Sequence, residues 1–255
     1  MTALVDTHCH LDFPIFDGDR EVVVQRARTA GVTGILVPGV APDTWARVLS
    51  ARDQFPPMIR VALGIHPHAL PALSDAELAA GLAGLEARLL TEGAAAVGEC
   101  GLDGALVKRG VSMARQEAVL EAHLEVARRL ELPVILHCVK AHGRLLALLE
   151  RRGPLAGVLH AYSGSAELVP RYAALGLHFG FGGALTWARA RRPLLAAAAA
   201  PMDRLLLETD APEMAPHLPL PVAGRNEPMM VAAFAERLAA LRGEAVPDNS
   251  GLLGF

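Results

Sequence analysis

The sequence predicts an α/β protein, a closed (β/α)8 TIM barrel forming a single domain over residues 1–255. Three observations predict it. Short, nearly all-apolar runs alternate with longer segments of helical periodicity, the pattern of parallel strands buried on both faces. Eight such runs and eight such segments fit in 255 residues, a usual length for this barrel. Neither GxGxxG nor GxxxxGK[ST] follows the first run, which argues against a doubly wound open sheet.

The elements follow in order. The strand-like runs are "ALVDT" (3–7), "GILVPG" (34–39), "RVALG" (60–64), "AAVGE" (95–99), "PVILH" (133–137), "AGVLH" (156–160), "LHFGFGG" (177–183) and "RLLLETD" (204–210). Each is a short apolar stretch that stops at a polar residue or glycine. The helical patterns between them cover 18–30, 43–54, 75–91, 111–131, 140–152, 165–175 and 187–200, with the alanine run 196–200 reading as helix. A last helix is expected at 228–242, followed by a Gly/Pro-punctuated irregular end over 243–255.

Composition narrows the function. The chain is 52% hydrophobic but only 4% aromatic, so Ala, Leu and Val must build the core. A net charge of −3 gives no global positive field for nucleic acid, so a phosphate substrate has to be held locally. No apolar stretch reaches the ~18 residues of a membrane span, and no basic segment leads into an apolar leader. A cytoplasmic protein is expected, with no membrane contact and no obligatory protein partner. Three cysteines, Cys9, Cys100 and Cys138, suit reduced thiols rather than a disulfide framework.

In such a barrel, active sites are built where the strands end. Strand one ends in Asp6, His8 and His10; strand three runs into "GIHPH", with His66 and His68. Strand four ends in "GECGLD", with Glu99 and Asp103; strands five and six end at His137 and His160; strand eight ends in Glu208 and Asp210. These are the residue types that hold divalent metals. Side chains alternate along an extended chain, so His8 and His10 share one side and Cys9 points away. One metal would take His8, His10 and Asp210 and need one more ligand. His137 and His160 form a second nitrogen pair. Glu99 lies between the groups, where a bridging carboxylate would hold two ions about 3.5–4 Å apart. The expected cofactors are two divalent metal ions, Zn, Mn or Mg. Asp210 is the candidate base, with Glu99 as its catalytic companion.

These pieces carry a family resemblance. "DTHCH" (6–10), "GIHPH" (64–68), "GECGLD" (98–103), "RQE" (115–117), "PVILH" (133–137), "HAYSGS" (160–165), "ETDAP" (208–212) and "RNEP" (225–228) occur in the order found in the TatD-type metal-dependent deoxyribonucleases. They span nearly the whole chain, which resembles most closely the subgroup described as uncharacterised metal-dependent hydrolases. The resemblance implies one metal on His8, His10, Glu99 and Asp210 and another on Glu99, His137 and His160. It also implies phosphodiester hydrolysis, often as a 3′-to-5′ exonuclease on DNA. The chain departs from the family at Val139, where an arginine is common, and at Gly104 and Glu213, where aromatics are common. An acidic Glu213 beside the site would repel a polyanion.

The expected substrate is therefore DNA or a small phosphodiester, with His66, His68, Ser163 and Arg225 as candidate substrate-binding residues. Pro67 could equally hold His66 and His68 in a turn. Ser163 could present backbone N–H groups to phosphate. Arg225 and Asn226 could instead cap the helix behind Pro228. Asp6 reads as an outer partner of a ligand histidine, His123 and His178 as structural, and each cysteine as a small packing residue beside a ligand. The alternative function is hydrolysis of a small-molecule ester or amide on the same ligands; a non-catalytic metal-binding barrel is the third.

Overall fold

The computed structural model describes residues 3–222, 224–245 and 251. Most of the irregular end expected over 243–255 lies outside them.

Eight strands run in the order of the sequence, all parallel: β1 (Leu4–Asp6), β2 (Val32–Pro38), β3 (Ile59–Leu63), β4 (Ala96–Asp103), β5 (Val134–Val139), β6 (Gly157–Leu159), β7 (Leu177–Phe181) and β8 (Leu205–Leu207). The ring closes just beyond the named ends of β1 and β8. Thr7 N donates to Leu207 O at 3.0 Å, Asp210 N to His8 O at 2.8 Å and His10 N to Ala211 O at 2.8 Å. The closing hydrogen bonds thus belong to the segments that carry His8, His10 and Asp210.

The helices are α1 (Arg20–Thr29), α2 (Trp45–Gln54), α3 (Asp75–Glu92), α4 (Met113–Leu130), α5 (His142–Arg152), α6 (Val169–Ala174), α7 (Arg191–Ala199) and α8 (Val231–Arg242). Local chemistry sets their ends. Ser74 and Glu77 form a reciprocal capping box at the start of α3, and Gly93 ends it at φ 60°, a conformation cheap only for glycine. Proline shortens two expected helices. Pro170 belongs in a first turn, so 165–175 divides into a 3-10 turn (Ala166–Leu168) and the short α6. Pro193 likewise falls in the first turn of α7, which starts at Arg191 rather than 187.

The strands are apolar on both sides because both sides are covered. Leu36, Ala62, Ala96, Ile135, Val158 and Leu206 fill the barrel interior. Their alternates, such as Ile35, Val37, Leu63, Leu136 and Leu159, pack outward against the helices. Each such side chain contributes about 1.5–3 kcal/mol by leaving water.

β4 differs from its expected span. It continues to Asp103 rather than stopping at Glu99, and its register with β5 shifts between Val97 and Cys100. Gly98 and Gly101 take φ values of 135° and 151°, which admits this irregular path past β5. Glu99 therefore projects from within a strand, deeper than a strand-end residue.

Candidate metal centre

The segments after β1, β3, β6 and β8, and His137 within β5, bring their polar side chains around Glu99. Its carboxylate is buried and divided between two groups. Oε2 lies 3.3 Å from His8 Nε2 and 3.7 Å from His10 Nε2. Oε1 lies 2.8 Å from His160 Nε2, 3.3 Å from His137 Nδ1 and 3.2 Å from His66 Nε2. Asp210 Oδ1 completes the first group, 3.6 Å from His8 Nε2 and 3.5 Å from His10 Nε2. Asp210 holds φ 55°, which aspartate tolerates better than most residues, and its N–H bond to His8 O turns the side chain back over β1.

The donor set fits a divalent metal. Nitrogens of His8 and His10 face each other at 3.4 Å, as do those of His137 and His160 at 3.3 Å. Two imidazole lone pairs aimed at one point need a proton or a cation between them. The ligand atoms fall into overlapping triads: His8, His10 and Asp210; His8, Glu99 and His160; His66, Glu99 and His137. Nitrogen and carboxylate oxygen in this mixture suit Zn or Mn.

The electrostatics point the same way. Burial alone would raise the pKa of Glu99, but the charges of His66, His160 and His8 hold it well below the carboxylate range. Burial disfavours a charged His160, yet Glu99 and Glu208 push its pKa well above that of a free imidazole. Burial takes the pKa of His66 down to about 4, and its Nδ1 accepts from His68 N at 3.0 Å, so the neutral ring carries its proton on Nε2, which faces Glu99. The centre draws positive charge onto His10, His137 and His160, and a metal ion competes for the same place.

Outer partners hold the ligands. Glu208 Oε1 accepts from Ala161 N and lies 3.7 Å from His160 Nδ1. Asp103 Oδ2 lies 3.7 Å from His137 Nε2 and 2.7 Å from His68 Nε2. A carboxylate behind a ligand imidazole fixes its orientation. Asp6 acts on the backbone instead of on a ligand ring. Its oxygens accept from His8 N at 3.3 Å, Thr209 N at 2.8 Å and Thr209 Oγ1 at 2.5 Å, tying the end of β1 to that of β8. His123 Nε2 accepts from Ile65 N at 2.9 Å and so steadies the residue before His66.

A cavity of about 1190 Å³ opens over the centre. Its floor includes His10, His66, His68, Glu99, His137, His160 and Asp210. Its walls are largely apolar, with Phe13, Val40, Pro42 and Leu73, while Asp43, Glu77 and Glu213 add acidic groups. Phe13 stacks on His10 with centroids 4.6 Å apart. It follows the first histidine pair by three residues, a proximity that could have marked it from the sequence.

The expected substrate-binding residues divide. His68 lines the cavity, and His66 both lines it and reaches Glu99 as closely as His137 does. Ser163 is exposed but does not line the cavity; its hydroxyl donates to Cys138 O at 3.2 Å. Arg225 does not line the cavity. Its guanidinium bonds Asp19 at 2.6 and 2.9 Å and Glu227 at 2.7 Å, and lies over Phe16, away from the cavity. Its charge is spent inside the fold. Asn226 is structural too, donating to Thr209 O and Glu213 O and so bracing the loop of Asp210. Cys9, Cys100 and Cys138 are free and buried, none within a ligand triad.

A family model described as TatD related DNase matches residues 5–250. An Escherichia coli protein described as the uncharacterized metal-dependent hydrolase YjjV is 42% identical over 211 residues, covering 82% of this chain and 80% of its own. The 3′-5′ ssDNA/RNA exonuclease TatD of Edwardsiella piscicida is 37% identical over 245 residues, covering 94% and 92%. The crystal structure of the E. coli YjjV protein superposes with a TM-score of 0.84 over 98% of this chain and 94% of that one, at 37% identity.

Proposed function

The chain belongs to the TatD-related DNases and is a metal-dependent hydrolase, and from that premise we propose that it cleaves phosphodiesters of single-stranded nucleic acid from the 3′ end. The proposal extends to two divalent ions, Zn, Mn or Mg, and to one hydrolase domain over residues 1–255. The observation that carries it is the placement of Glu99, whose Oε2 faces His8 and His10 and whose Oε1 faces His160, His137 and His66 beneath an open cavity.

On this reading His8, His10, Glu99 and Asp210 hold one ion, and Glu99, His137 and His160 hold the other, with His66 close enough to join. Bound divalent ions supply a Lewis acid that brings a water's pKa toward neutrality and offsets charge developing on phosphate. The chain's own residues do the rest. Asp210 is the acidic group of the first triad that reaches solvent, at 14% exposed. Burial would raise its pKa, but the hydrogen bond from His10 and the charges of His160, His8 and His10 outweigh that. It is therefore ionised at neutral pH and placed to accept the proton of an attacking water. His68, held by Asp103, lies where it can donate to a phosphate oxygen or the leaving group.

A second reading has a specific support. The acidic side chains of Asp43, Glu77 and Glu213 around an apolar cavity also suit a small neutral ester or amide. The test measures metal content by elemental analysis, then assays bis-p-nitrophenyl phosphate and single-stranded DNA with and without chelator. Chelator-sensitive cleavage of both is the expected result. A metal-loaded protein that cleaves neither would sink the phosphodiester reading and favour the small-molecule one.

A further inference from the structure

The cations of this chain are unequally engaged. Most arginines on the helices are paired: Arg144 with Glu117, Arg171 with Glu150, Arg129 with Glu86, Arg52 with Asp53 and Glu92. Others bond main-chain carbonyls, as Arg128, Arg151 and Arg237 do. A small set makes no side-chain ion pair or hydrogen bond among the described residues. It comprises Lys108 and Arg109 after β4, Lys140 after β5, and Arg189, Arg191 and Arg192 after β7, together with Arg28 near the end of α1. Except for Arg28, all of them sit on segments that leave the C-terminal ends of strands, on the face that bears the metal centre.

Their setting is unfavourable to the fold alone. Arg191 and Arg192 open α7, whose first turn contains no acidic residue. Cations there oppose the positive end of the helix dipole. Arg192 feels Glu167 electrostatically without pairing with it, and its charge reaches His142 at the start of α5, so the segments after β5 and β7 share one field. All six are solvent-exposed. The opposite side of the same rim carries the acidic Asp43, Glu77 and Glu213 around the cavity. The unpaired cations thus gather on the segments after β4, β5 and β7, outside the cavity lining and with the exposed Glu167 among them, while the cavity walls after β2, β3 and β8 carry Asp43, Glu77 and Glu213 beside the single cation Arg88.

We infer that Lys108, Arg109, Lys140, Arg189, Arg191 and Arg192 form a track for the phosphate backbone of single-stranded nucleic acid, leading its terminal phosphodiester to the metal centre. This rests on the phosphodiester reading above. The acidic side of the rim turns the polyanion away, so the strand enters over β4 to β7. The apolar cavity then receives the end nucleoside, whose base is uncharged. Such contacts follow the backbone and do not read sequence.

The test uses two triple variants of the metal-loaded protein, Arg189→Gln/Arg191→Gln/Arg192→Gln and Lys108→Gln/Arg109→Gln/Lys140→Gln, with Arg28→Gln as control. Substrates are bis-p-nitrophenyl phosphate and oligothymidylates of roughly 4 to 16 nucleotides. In the wild type, KM falls as the oligonucleotide lengthens. In each triple variant the ratio of kcat/KM for the longest oligonucleotide to that for bis-p-nitrophenyl phosphate drops about tenfold or more, and the log–log salt slope of binding weakens by about 2. Arg28→Gln behaves as wild type. If the wild type cleaves oligonucleotides and both triple variants keep its ratio, length dependence and salt slope, the track is wrong and the phosphodiester reading stands. If the wild type cleaves neither substrate, that reading falls and the track falls with it.

Discussion

Glu99 Oε1 stands 2.8 Å from His160 Nε2, while the other oxygen of the same carboxylate stands 3.3 Å from His8 Nε2. One buried side chain thus joins histidines carried by the segment after β1 to histidines carried by β5 and the segment after β6. Glu99→Gln keeps the shape and removes the charge that both groups share. Elemental analysis is expected to show a lowered metal content. Activity should fall by more than the ~10–100-fold that loss of an outer partner costs a metal site. Wild-type metal content and turnover in this variant would remove Glu99 from the bridging position.

Asp210→Asn tests the proton acceptor. The amide can still fill the turn, because asparagine also tolerates the left-handed backbone that Asp210 adopts at φ 55°. It cannot accept a proton from water. We expect kcat on bis-p-nitrophenyl phosphate to fall by roughly 10²–10⁴, with an unchanged circular dichroism spectrum. A variant that keeps full turnover assigns the base elsewhere.

Much of this site was legible because its residues share two local signatures, apolar runs and the polar residues that end them. Periodicity placed all eight strands, and strand ends gave His8, His10, Glu99, His137, His160 and Asp210. What periodicity could not give is pairing. Arg225 looks like a free cation in "RNEP"; Glu227 stands two residues away in the same motif, but only the fold brings Asp19 to it from the far end of the chain. The reverse holds for Lys108, Arg109, Lys140, Arg189, Arg191 and Arg192. Nothing local distinguishes them from the paired arginines, because being unpaired depends on what the rest of the chain does not bring near. The extension of β4 past Glu99 was hidden for another reason. Its apolar run ends at the charged Glu99, whereas in the fold Gly98 and Gly101 keep the strand paired through an irregular register.

Close approach of β3 and β4 gives a third prediction. A Cβ on Gly64 would lie 2.5 Å from Gly98 Cα and 2.7 Å from Glu99 O, all of it backbone that cannot step aside. Gly64→Ala should therefore destabilise by about 1–3 kcal/mol, as overpacking does, and displace Glu99 and His66 together. The readout is a lowered melting temperature with a lowered metal content. Gly18→Ala, where the added Cβ meets nothing within 4 Å, is the matched control. Equal behaviour of the two variants would contradict the packing described between these strands.

The cluster around Arg225 predicts a pH-dependent stability separate from catalysis. Arg225 is 8% exposed and Glu227 is fully buried, so Arg225→Ala leaves a buried carboxylate short of one partner. Arg26 still holds Glu227 at 2.7 Å, so the loss at neutral pH should be near the low end for a broken buried pair, about 3 kcal/mol. Asp19 supplies the pH dependence. Its hydrogen bond and ion pair with Arg225 lower its pKa below the usual 3.8. A depressed carboxylate pKa stabilises the fold above the unfolded value, and that share is lost as pH falls through the folded one. The melting-temperature gap between wild type and Arg225→Ala should be widest near neutrality and narrow below pH about 4. The folded variant should keep the wild-type KM for an oligonucleotide. A raised KM with an unchanged melting temperature would return Arg225 to the substrate.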